Sequence, residues 1–145
     1  MMIPLIAAVL LLPGLVLSRG AWAQPRPFSC IGAEKLEDDA FAIPFPRGAA
    51  EPRKEALSNL EAAADRARRE PERMLCVLGH AAQQEGGAQA GLQLAAKRAG
   101  AVAEALAKLG VERDRIRAEA RRAAFARGAV PVERSVTVVL LPPMP

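Results

Sequence analysis

Aromatic side chains are almost missing from this 145-residue chain, which has no tyrosine, one tryptophan and four phenylalanines. Without such rings the stacking platforms that hold single-stranded nucleic acid cannot be built. Histidine is just as scarce, and His80 stands alone. No serine, cysteine, aspartate or second histidine lies at a spacing from it that would activate a nucleophile or complete a metal shell. No catalytic residue, metal or cofactor is therefore expected. A long apolar run is also lacking: residues 3–17 are interrupted by Pro4, Pro13 and Gly14, and a bilayer span needs about 20 apolar residues. The charge bias is mild, with 20 Lys and Arg against 16 Asp and Glu and a formal net charge of +4. That is not the footprint of a nucleic-acid binder, whereas a polyanionic wall or membrane surface suits it, as does simple solubility.

What is present begins with a leader. The broken apolar run is followed by Ala21-Trp22-Ala23, a small-x-small cleavage pattern that marks residues 1–23 as a secretory signal peptide. No lysine or arginine precedes the run, and Arg19 follows it, so an uncleaved anchor is the competing reading. Cleavage leaves material for one domain and no transmembrane span. An even number of cysteines in an exported chain permits a Cys30–Cys76 disulfide. A buried free thiol at Cys76, packing as a small hydrophobe, is the other possibility.

Residues 24–40 are rich in proline and mixed charge without a sustained period, and read as a loosely ordered lead-in. Phe41, Ile43 and Phe45 alternate as a short strand, and Pro44 puts it at an edge because it cannot donate to a ladder. Leu57, Leu60, Ala64 and Ala67 line one face of a helix from about Pro52 to Glu70. Its Arg66, Arg68 and Arg69 suit the negative end of the helix dipole. Met74 to Leu78 is apolar on both faces, as a central strand covered on both sides should be. A second helix ends at Gly110, with Ala95, Ala99, Val102, Leu106 and Leu109 on its stripe. Arg98 falls roughly 60° from the centre of that stripe, which predicts a half-buried arginine near the helix start. Ile116, Ala118 and Ala120 suggest a weak third strand before an Arg-rich connector, Arg121 to Arg127. Val136 to Leu141 is a β-branched last strand stopped by Pro142-Pro143.

Gly79-His80, the pair Gly86-Gly87, then Leu94, Arg98-Ala99, Val102, Leu106 and Gly110 stand in a spacing that resembles the OmpA-like domain, a periplasmic peptidoglycan-binding module. The resemblance runs from about Phe41 to Leu141, and Glu133-Arg134-Ser135-Val136 is similar to that family's Asn-Arg-Arg-Val. It implies an α/β two-layer sandwich, two helices packed on a mixed sheet of about four strands, as a domain at 41–141 with a tail at 142–145. It also implies a non-catalytic module in the periplasm or at the outer membrane, whose partner is the peptidoglycan stem peptide. The peptidoglycan-binding residues it points to are Gly79, His80, Glu85, Arg98 and Arg134.

The same resemblance exposes a departure. The family loop reads Gly-His-Thr-Asp, and its aspartate helps hold the zwitterionic head of diaminopimelate while the helix arginine grips a carboxylate. This chain reads Gly79-His80-Ala81-Ala82. Losing one charge-assisted hydrogen bond of about 1.5 to 3 kcal/mol weakens binding roughly 10- to 150-fold. Glu85 is the nearest replacement. Gly91 and Ala95 also stand where the family has Asn and Ser. The alternative function is therefore a degenerate OmpA-like domain that contacts other envelope proteins without wall affinity.

Overall fold

The computed structural model describes residues 26–36, 38–82, 84–122 and 134–145. The leader at 1–23, its cleavage site and most of the Arg121–Arg127 connector lie outside the described residues. The regular elements are β1 (Ala40–Pro44), α1 (Leu57–Arg69), β2 (Leu75–Gly79), α2 (Gly87–Lys108), β3 (Ile116–Ala120) and β4 (Ser135–Leu140). The strands form one mixed sheet in the order β1-β4-β2-β3. β4 runs antiparallel to both β1 and β2, whereas β2 and β3 are parallel and joined through α2. This is the two-layer sandwich expected from the sequence. No helix of the described residues is long and apolar enough to cross a membrane.

Strand alternation sorts the core into two parts. On the helix face, Ile43, Leu75, Val77, Val136, Val138 and Leu140 meet Leu60, Ala63, Ala64 and Ala67 of α1 and Ala99, Val102 and Leu106 of α2. Pro44 sits on β1, the edge strand next to β4, where its missing N–H costs least. The first helix departs from its predicted stripe. A 3-10 turn at Lys54–Ala56 leads into α1, Ala56 and Ala63 take inward positions, and Leu57 is 45% exposed in the first helical turn.

The opposite face holds a second cluster, Cys30, Ala33, Cys76, Leu78 and Val139, with Phe28, Leu36, Ala40 and Leu141 packed against it. The expectation of a loosely ordered lead-in is thus corrected over residues 28–36. This segment forms a 3-10 turn at Ala33–Lys35 and lies as a strap across the back of the sheet. A single turn carries no periodic signal, so the sequence pattern does not reveal it. A disulfide joins Cys30 to Cys76, with Cα atoms 5.7 Å apart. Arg117 and Arg121, from β3 and just beyond it, donate to the carbonyls of Phe28 (3.1 Å) and Cys30 (2.9 Å) and hold the strap down.

Candidate functional site

The carboxyl ends of β2 and β3 lie under the start of α2, and Gly79 sets how closely they meet. A Cβ at this position would come within 2.0 Å of the Ala95 carbonyl oxygen, so only glycine lets the helix rest on the strand. Gly86 and Gly87 have φ of 107° and 85°, a left-handed pair that folds the loop back before the helix begins. The helix starts at Gly87, earlier than the periodicity indicates, which puts Arg98 in its middle.

Arg98 is completely buried, not half-buried. Its Nε donates to the Ala49 carbonyl (2.8 Å). One terminal nitrogen donates to the His80 carbonyl (3.0 Å) and Glu85 Oε1 (3.1 Å). The other donates to the Pro46 carbonyl (3.1 Å) and Glu85 Oε2 (2.5 Å). All five N–H groups of the guanidinium are thereby used. The Phe45 ring lies beneath it, 5.3 Å from its centre to the guanidinium carbon, adding a cation–π contact.

Glu85 is the other half of the arrangement, its side chain only 1% exposed. Besides the fork from Arg98, it accepts the backbone N–H of Gly48 on Oε2 (2.6 Å) and of Ala82 on Oε1 (3.0 Å). Burial works to raise its pKa, but the Arg98 hydrogen bonds, the two backbone donors and the Arg98 charge outweigh it and hold the carboxyl at about 2. The pair is consequently ionised and internally neutral at pH 7.

The other residues expected at the site divide. Gly79 contributes backbone: its carbonyl accepts the Arg121 N–H at 2.8 Å. His80 contributes only its main chain, the carbonyl to Arg98 and the N–H to the Ser135 carbonyl (3.0 Å). Its ring follows Cys76 and Leu78 onto the strap face by alternation. There burial lowers its pKa, the Arg121 charge adds to that effect, and the Ser135 and Leu78 backbone and Glu34 oppose it. Its Nδ1 is buried without a hydrogen-bond partner among the described residues. Arg134 is exposed at the start of β4 and lines a cleft of about 300 Å³ with Arg47, Ala82, Gln84 and Glu85. Arg47 is the member that sequence reasoning missed, since a turn arginine has no periodic signature. A larger groove of about 790 Å³ runs between Ala88 and Leu92 of α2 and Ala120 to Arg122. Gly79, His80, Glu85, Arg98 and Arg134 do not line it, but Ala81, Ala82 and Gly87 of the same loop do.

A mixed four-stranded sheet with two helices on one face and a strand-loop-helix site at its open end is the architecture of the OmpA-like class. Residues 44–135 match the OmpA family, and the chain belongs to it. Similar solved structures carry the same fold. The peptidoglycan-associated lipoprotein of Burkholderia pseudomallei is 22% identical over 70% of this chain and 90% of its own, with a TM-score of 0.61. The OmpA-like domain of FopA1 from Francisella tularensis subsp. tularensis SCHU S4 is 18% identical over 70% and 73%, also at 0.61. A periplasmic domain of Helicobacter pylori MotB is 14% identical over 70% and 78%, at 0.55. Among curated protein sequences none matches the chain.

Proposed function

We propose that this chain is a non-catalytic OmpA-like module, exported to the periplasm and associated with the cell envelope, that contacts peptidoglycan weakly through the loop Gly79–Gly87 and its rim. Family membership over residues 44–135 supports the class, and one similar structure is that of a peptidoglycan-associated lipoprotein. The observation that carries the qualifier is the saturation of Arg98. A carboxylate arriving from the wall finds every guanidinium N–H engaged and the side chain sealed from solvent. It must displace Glu85 or bind elsewhere on the rim, and either route costs affinity. Ala82 stands where the family's aspartate is expected, and its N–H is itself committed to Glu85. Adding an aspartate at 82 would set a second carboxylate beside a buried one, so this change is a poor way to restore binding.

The same saturation favours the second reading, a domain that serves envelope protein contacts with no wall affinity. Retention of the purified protein on isolated sacculi, at low and at high ionic strength, decides between them. The wall reading expects weak retention at low salt and release at high salt, because exposed cations do the holding. No retention at low salt transfers the function to protein contacts.

A further inference from the structure

Among the described residues the site holds four charged side chains, and they divide into a sealed pair and an open pair. Glu85 and Arg98 cancel one another in the interior. Most of the described arginines are likewise consumed by internal carboxylates. Arg47 and Arg134 are not. Both residues are exposed, neither side chain makes a hydrogen bond or ion pair among the described residues, and both line the cleft of about 300 Å³ above Glu85. With the buried pair neutral, the cleft presents two positive charges that have no ion-pair partner among the described residues.

Their backbones are held by the buried pair and its surroundings. Arg47 lies between Pro46, whose carbonyl accepts from Arg98, and Gly48, whose N–H donates to Glu85. The turn that carries Arg47 is therefore pinned on both sides to the same ion pair. Arg134 is fixed by its own carbonyl, which accepts the Phe45 N–H at 2.8 Å, and Phe45 is the residue whose ring lies under Arg98. Two flexible side chains thus rise from a rigid base, which lowers the ordering cost of gripping a ligand. Guanidinium forks match the geometry of a carboxylate.

We infer that the anion-gripping cations of this domain are Arg47 and Arg134, and that Arg98 with Glu85 is a positioning pair which holds the cleft in shape. The ligand group is a carboxylate of a wall stem peptide, so the inference rests on the peptidoglycan reading above. Gln84, on the cleft wall, offers an amide to the peptide backbone beside that carboxylate.

The test uses a soluble stem peptide carrying free carboxylates, the same peptide with its carboxylates amidated, and calorimetric titration of the wild type, Arg47→Gln, Arg134→Gln and the double variant. Both side chains are exposed, so thermal unfolding midpoints should match the wild type and confirm that the variants are folded. Each single change is expected to weaken binding about three- to tenfold and the double change more than tenfold, as loss of charge-assisted hydrogen bonds dictates. The amidated peptide should bind the wild type no better than the free peptide binds the double variant. If wild type is retained on sacculi and the double variant binds the peptide equally well, this assignment is wrong while the peptidoglycan reading stands. Equal binding of the amidated peptide overturns it as well. A wild type that is neither retained on sacculi nor bound to the peptide removes the peptidoglycan reading and this assignment together.

Discussion

Among the described residues the two most deeply buried guanidinium groups, those of Arg98 and Arg115, lie at opposite ends of the sheet and are neutralised in different ways. Arg115 is 1% exposed and sits in the 3-10 turn that leads into β3. It donates to the carbonyls of Arg73 (3.0 Å), Ala67 (2.8 Å) and Glu70 (2.9 Å). The last two belong to the end of α1, where carbonyls lack helical partners and carry the negative end of the dipole. Its one carboxylate partner, Glu112 at 2.6 Å, is 56% exposed. Arg98 instead meets a carboxylate sealed in with it. Arg115 is a staple between a helix end and a strand, with a counter-ion that stays in water. Arg98 and Glu85 form a closed unit that ties the loop after β1 and the loop after β2 to α2. A buried arginine is thus not a binding site by virtue of burial; what matters is whether any donor is left over.

The comparison is broken most severely by Arg98→Ala. It strands a buried carboxylate and three backbone carbonyls, and is expected to cost about 3 to 5 kcal/mol in denaturant titration. The double change Arg98→Met with Glu85→Leu should recover much of that loss, because an apolar pair leaves no orphaned charge.

The next largest effect is a pH dependence. The Glu85 carboxyl titrates at about 2 in the fold against an ordinary value of 4.5, so its ionised form favours folding. That stabilisation is fully present above about pH 4.5 and is lost as the pH falls through about 2, a contribution on the order of 3 kcal/mol. Glu85→Gln should lower stability at neutral pH and flatten the acid limb between those values. An unchanged acid limb would contradict the assignment. A separate, earlier erosion below about pH 6.5 should persist in both proteins. His80 is buried neutral, its pKa lies below the ordinary value, and protonating it opposes folding.

At the other end of the sheet the effects should be smaller. Arg115→Met leaves carbonyls unsatisfied but returns Glu112 to water, and should cost about 1 to 3 kcal/mol. Glu112→Gln, removing only the exposed partner, should change stability by less than about 1 kcal/mol. The ratio between the two glutamate variants, measured in the same titrations, is the sharpest reading of how sealed each arginine is.

The architecture was legible because strand alternation and helix period act over many residues at once. Ile43, Val77, Leu106 and Val138 could hardly be placed anywhere but inside. The site was less so, for reasons specific to each residue. Arg98 lies off its helix stripe by period, yet the loop curls over it and buries the margin of the stripe as well. Glu85 was visible as the nearby carboxylate, but one of its four hydrogen bonds comes from Gly48, in a turn far away in sequence. Arg115 sits in a single 3-10 turn and Arg47 in a four-residue turn, and neither has a pattern to announce it. Gly79 looked like a tight exit from a strand. Its necessity comes from the Ala95 carbonyl on another element, which no local reading contains.

The Cys30–Cys76 bond also has a mechanical meaning. Tension applied to the chain ahead of Cys30 passes through the disulfide directly into β2, an interior strand laddered on both sides to β4 and β3. It does not travel along the backbone through β1 and α1, which lie within the loop that the bond closes. The edge strand and the first helix are therefore spared the load, and so is the turn that carries Arg47 between them. Pulling with the bond intact should first strain the centre of the sheet, and pulling after reduction should first peel its edge.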